Sequence, residues 1–126
     1  MRLIGYFDGD LTVAEIQEIK VAKPIWDAPE DYQRYIIIAR ASSGAQTRLY
    51  KIGPIEDQEH GAHYWNTKEE ANTVLESLLS NIDTIDLRQH GEFHCTIYSE
   101  LSTVLIENSW DEFEDEERPL IVKISE

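Results

Sequence analysis

Three groups of residues have types and spacings that could do chemistry. Asp8 and Asp10 set two carboxylates around Gly9, and such a pair can divide nucleophilic attack and proton transfer between its members. His60, His63, His90 and His94, the last beside Cys95, supply the nitrogen and sulfur that ligate zinc. The third group is Glu100, Glu107, Asp111, Glu112, Glu114, Asp115, Glu116 and Glu117: eight acids between positions 100 and 117 with no lysine or arginine among them. Trp110 and Phe113 sit inside its densest part.

The run Asp8-Gly9-Asp10-Leu11-Thr12 follows an apolar strand-like segment and resembles the Asp-x-Asp-x-Thr nucleophile motif of haloacid-dehalogenase-like phosphatases. The resemblance covers about five residues. It implies that Asp8 attacks phosphorus, that Asp10 acts as acid and base, and that magnesium is the cofactor of a small phosphatase. It also implies a doubly wound parallel sheet and a downstream lysine and acidic pair. Taken by themselves, the residues read as a hairpin: Asp-Gly between strand-like segments is a strong type I′ turn signal, and 126 residues is short for a doubly wound sheet. The hairpin is the reading adopted, with the phosphatase as the alternative.

The histidine spacings match no metal motif. His60 and His63 fall in a polar stretch, and strand alternation sends His94 and Cys95 to opposite faces, so no metal and no other cofactor is expected. Cys95 has apolar neighbours on its own face, Phe93 and Ile97, and reads as a structural cysteine rather than an activated nucleophile. The six glycines are scattered and form no phosphate-binding loop, so no catalytic residue is assigned.

The elements that would position these groups follow from periodicity. Residues 1–7 read as a strand ending in the Asp8-Gly9 turn. The segment 11–22 is open between strand and helix: Leu11, Val13, Ile19 and Val21 alternate, yet Val13, Ile16 and Ile19 keep helical spacing, with Thr12 and Glu15 as a capping box. Lys23 to Tyr32 reads as a loop containing Pro24 and Pro29. The run 34–40 is apolar on both alternations, the mark of a central strand covered on both faces, and 47–52 returns as its antiparallel partner after a turn at 42–45. A loop is expected over 53–63. Ala71, Val74, Leu75, Leu78, Leu79 and Ile82 form one stripe on a helix of about 68–82, started by the capping box Thr67 and Glu70. Strands are expected at 93–98, 102–106 and 120–124, with 101–107 open to a short helix. The pattern predicts one α+β domain spanning 1–126, an antiparallel, hairpin-rich sheet of about five to seven strands packed on one main amphipathic helix.

Composition limits the partners. The chain is 41% hydrophobic and carries a net charge of −14, well beyond what solubility requires. Residues 1–60 hold 10 acids and 7 bases, whereas residues 61–126 hold 15 and 4. Direct binding to nucleic acid or to an anionic membrane needs the opposite sign. One cysteine, no signal-like N-terminus and no long apolar stretch lead to the expectation of a cytoplasmic protein with no membrane contact. Six like charges packed between Trp110 and Glu117 have no local counter-charge, so the run is expected to be an outward loop. The function expected is an acidic, protein-binding inhibitor that occupies a nucleic-acid-binding surface of a basic partner: a nuclease, toxin or effector met by a phage anti-defence or toxin-immunity protein. The residues expected to meet that partner are Glu100, Glu107, Trp110, Asp111, Glu112, Phe113, Glu114, Asp115, Glu116 and Glu117. A small-ligand or structural assembly module, pairing sheet edges between subunits, is the remaining alternative.

Overall fold

The computed structural model describes residues 1–24, 34–55, 63–80, 83–89, 93–100, 110 and 113–115. Its described elements run in the order β1 (Arg2–Phe7), β2 (Asp10–Pro24), β3 (Ile36–Ser43), β4 (Gln46–Pro54), α1 (Lys68–Leu78), β5 (Thr84–Asp86), β6 (Phe93–Glu100) and β7 (Phe113–Asp115). The strands form one curled sheet in the order β5-β1-β2-β3-β4-β6, and β7 pairs with the far end of β2.

β1 and β2 make the expected hairpin. Asp8 (φ 52) and Gly9 (φ 87) take the positive φ values that a type I′ turn demands at both central positions. The ambiguity over 11–22 resolves as strand, because β2 continues unbroken for 15 residues. Its mixed periodicity has a structural cause. Leu11 and Val13 lie on the exposed face, Ala14 and Ile16 on the buried one, and a register shift between Ile16 and Glu18 lets Ile19 and Val21 stay buried. That bulge makes 13, 16 and 19 imitate a helix. Thr12 donates its hydroxyl to the Asp10 carbonyl instead of capping anything.

β3 is the central strand, with Ile36, Ile37, Ile38 and Ala39 all buried, as its double-sided apolar run requires. Two expectations of loop are corrected at their ends: Lys23 and Pro24 belong to β2, and Gly53 and Pro54 belong to β4, because both strands find neighbours there. At Gly53 the chain tolerates no side chain, since a Cβ would run into the His63 carbonyl oxygen. The wholly antiparallel sheet is corrected too. β5 pairs in parallel with β1 (Arg2↔Thr84 to Ile4↔Asp86), which makes the sheet mixed.

The helix starts as expected, with the Thr67 hydroxyl accepting the Glu70 N–H at 3.1 Å. It ends at Leu78 and buries only Ala71, Leu75 and Leu78, so it is one short helix set against a mostly β structure. Most of the buried interior comes from the inner side of the sheet: Leu3, Phe7, Ile16, Ile19, Val21, Ile37, Tyr50 and Ile52, with Phe7 edge-on to Tyr50 at 4.7 Å. The curl of the sheet encloses this core, and Ala71, Leu75 and Leu78 of α1 pack into it. Tyr35 and Trp65 exchange backbone hydrogen bonds (2.9 and 2.8 Å) and seat the approach to α1. The strand candidates at 102–106 and 120–124, the alternative helix at 101–107 and Ile82 lie outside the described residues, as does 25–32 of the proline loop. No helix among the described residues is long and apolar enough to cross a membrane.

Candidate functional site

The outer side of the sheet is where the charged residues meet. Alternation after the β2 bulge puts Ile19 and Val21 inward, and Lys20 and Ala22 outward. Ala22, Ile38, Leu49 and Phe113 form a small second core there, joined by Tyr98 and Trp110. Three cations share this face. Lys20, only 2% exposed, holds its ammonium 4.3 Å from the Trp110 ring centre, and the Arg40 guanidinium lies 5.4 Å from the same ring. Arg40 also pairs with Glu18, its register partner across β2 and β3. Lys51 lies 5.2 Å over Tyr98, whose ring meets Phe113 edge-on at 5.4 Å.

This corrects the expectation of a purely outward acidic loop. Phe113–Asp115 forms β7, paired antiparallel with Ala22–Pro24, and Phe113 is buried at 6% exposure. Trp110 is half-buried. Lys20 and Arg40, from the first half of the sequence, face the Trp110 ring, and Lys23 stands opposite Glu114 in the ladder. The sequence carried a faint signal of this: a lysine at position 20 within an otherwise apolar stretch of β2. Glu100 ends β6 opposite Arg48. Glu107, Asp111, Glu112, Glu116 and Glu117 lie outside the described residues. Among the expected partner-facing residues, the structure therefore turns Phe113 inward and seats Trp110 on two cations.

A second polar cluster closes the curled sheet. The Asp8 N–H donates to the Cys95 carbonyl (3.2 Å), and the Ile97 N–H donates to Asp8 Oδ2 (3.1 Å), tying the first turn to β6. The Asp8 carboxylate is thus a strand-joining acceptor in an antiparallel hairpin, not a group at the mouth of the doubly wound parallel sheet that the resemblance implied. His63 and His94 stack at 3.8 Å with their rings 15° apart, and His63 Nδ1 lies 3.1 Å from the Pro54 carbonyl. Partial burial, then His63 and Lys51, lower the His94 pKa below its ordinary value, with Asp8 opposing. Burial also lowers Lys51, again opposed by Asp8. Cys95 packs against the inner core, on the other side of β6 from the stacked His94, and burial pushes its thiol up to about 11. Such a thiol is almost wholly protonated at neutral pH and is a poor nucleophile. Among the described residues no group of three or more His, Cys, Asp or Glu is placed to hold a metal ion. His60 and His90 lie outside them.

The third region is the β1–β2 tip. Ile4↔Val13 and Tyr6↔Leu11 are register pairs, and Tyr6, Leu11 and Val13 are exposed at 55%, 54% and 47%. Exposed apolar residues clustered on one strand pair, with charges around them, mark a place where another chain can dock. The sequence showed Leu11 and Val13 as alternating residues without showing that they face solvent. No family model matches this chain, and comparison with curated proteins and with solved structures gives no match.

Proposed function

We propose that this chain is an acidic protein-binding inhibitor that covers a nucleic-acid-binding surface of a basic partner. The observation that carries the reading is the charge asymmetry: eight acids and no base over positions 100–117, in a chain of net −14. The fold adds a physical reason why such a run can be useful. Trp110 and the β7 pairing fasten it to the sheet at two points, which lowers the ordering cost that a free acidic loop would meet on binding. Carboxylates held this way attract a cationic surface over long range and speed its capture. Phage anti-defence proteins and toxin-immunity proteins are the settings that need such an activity.

The test compares the wild type with a variant in which Asp111, Glu112, Glu116 and Glu117 become their amides. The wild type should capture nucleic-acid-binding proteins at low salt, release them at about 1 M salt, and lose them to competing DNA or RNA. The variant should bind at least about tenfold more weakly. Equal capture by both proteins, or capture indifferent to salt and nucleic acid, would overturn the reading.

A further inference from the structure

Among the described residues, the β1–β2 tip carries an unfilled strand position. Ile16 donates its N–H to the Met1 carbonyl at 2.8 Å, which makes 1 and 16 a hydrogen-bonded pair. Alternation along an antiparallel ladder then makes 3:14, 5:12 and 7:10 bonded pairs, and turns the N–H and C=O of Leu11 and Val13 away from β1. The far side of β1 obeys the same alternation: Arg2 donates to Asp83, and Ile4 accepts from Leu87. On the other side of β2, β3 pairs only from Glu15 to Ala22, because β3 and β4 turn back between Ser43 and Gln46. Among the described residues no strand other than β1 pairs with β2 at Leu11–Ala14, so the side of this stretch facing away from β1 is without a neighbour.

Natural sheet edges are usually blunted by lysine, proline or an inward charge. This one has none of these. It presents outward-pointing backbone groups beside three exposed apolar side chains, Tyr6, Leu11 and Val13, which is the arrangement that strand-adding recognition uses: main-chain bonds for affinity and alternate side chains for selectivity. The charges around it select the occupant. Asp10 stands exposed at the start of the open stretch, Glu15 at its end is exposed and lies 3.7 Å from the N-terminal ammonium, and the β3–β4 turn across the gap, Ser43–Gln46, brings no charge. A second copy of this chain would bring the same acids and its own −14 to the same edge.

We infer that the open edge of β2 at Leu11 and Val13 takes up an extended segment of a basic partner as an added strand. That segment has apolar residues at alternate positions between flanking lysines or arginines. The inference rests on the reading that the partner is basic, and it adds a second contact point to the acidic run.

The probe is a fluorescein-labelled peptide, Lys-Arg-Val-Thr-Val-Thr-Arg-Lys, with an isomer of identical composition and adjacent valines as control. The wild type should bind the alternating peptide about tenfold more tightly than the isomer. Val13→Pro removes an edge N–H at a position where an edge strand tolerates proline, and should weaken binding about tenfold. Amide exchange of the wild type supplies the readout that does not depend on the variant's folding: the Leu11 and Val13 amides should gain protection when the alternating peptide binds. Equal binding by Val13→Pro, no preference between the two peptides, or no added protection at Leu11 and Val13 would each overturn the edge. Peptide binding that the four amide substitutions abolish and Val13→Pro leaves intact would overturn the edge while leaving the acidic run's role standing. Concentration-dependent dimerisation that protects the same amides without peptide would assign the edge to a second copy and overturn the inference.

Discussion

The two sides of this sheet solve burial in different ways. On the inner side, aliphatic and aromatic residues from β1, β2, β3 and β4 close over one another with α1 contributing three buried residues, and among the described residues no charged side chain is buried there. On the outer side, four apolar residues, Phe113 of β7 among them, share space with Lys20, Arg40 and Lys51, and the rings of Trp110 and Tyr98 lie against those cations. The inner side is held by area removed from water and depends on neither ion pairs nor contacts between rings and cations. The outer side depends on aromatic rings seated over cations and on the attachment of a single three-residue strand, so it responds to conditions that leave the inner side unmoved.

The largest expected effect tests that contrast directly. Leu75→Ala should cost about 3 kcal/mol of global stability through the cavity it leaves beneath the sheet. Phe113→Ala should lower the melting temperature less, and should release β7 locally, seen as faster amide exchange at Lys23 while Ile37 stays protected. Equal losses of global stability from the two variants would merge both sides into one cooperative core. Next in size is the chemistry of Cys95. With its thiol pushed up to about 11, alkylation of the native protein at neutral pH should run about a hundredfold slower than that of the unfolded chain. Alkylation at the unfolded rate would place Cys95 on the open side of β6.

Trp110→Leu keeps an apolar side chain but removes the ring that Lys20 and Arg40 face, and should cost about 1 kcal/mol in urea unfolding. The cost should shrink in a Lys20→Met background, and a double-mutant cycle with no coupling would break the pairing assigned to that face. The smallest effect is in pH. The folded-state pKa of His94 is lowered, so the unfolded chain takes up this proton first, and stability should fall as pH drops through the ordinary histidine value of ~6.5. His94→Gln should flatten the melting curve over that window relative to the wild type. An unchanged pH profile would move the sensitivity elsewhere.

Much of the sheet was legible because the signals were local. The Asp8-Gly9 turn, the double-sided apolar run of β3, the return through β4, the alternation of β6 and the Thr67–Glu70 cap each need only neighbouring residues to declare themselves. What was not legible depended on distant pairing. β2 looked half helical because its bulge moves the buried side from even positions (14 and 16) to odd ones (19 and 21) within one strand. β5 has three residues and exists because β1 offers an edge. β7 is acidic and poor in strand formers, and it is a strand because Ala22–Pro24 accepts it and Phe113 finds the outer core. The acidic run was conspicuous in composition, whereas the cations that face Trp110 and Tyr98 are spread over three strands and come together only when the sheet forms. The open edge at Leu11 and Val13 was hidden for the same reason, since exposure is a property of which strands fail to continue.

The bonds between Asp8 and β6 carry a consequence for how the chain acquires its shape. They join residues as many as 89 positions apart, the first turn and a strand near the end of the described sheet. Closing so long a loop is entropically slow, and during synthesis it must wait until β6 has left the ribosome. Until then Phe7 and Tyr50 line a trough with one wall missing, a nascent state with an apolar interior open to chaperones. The arrival of β6 therefore converts an open sheet into a closed one, and a chain halted before residue 93 should be held by chaperones rather than released as a smaller folded protein.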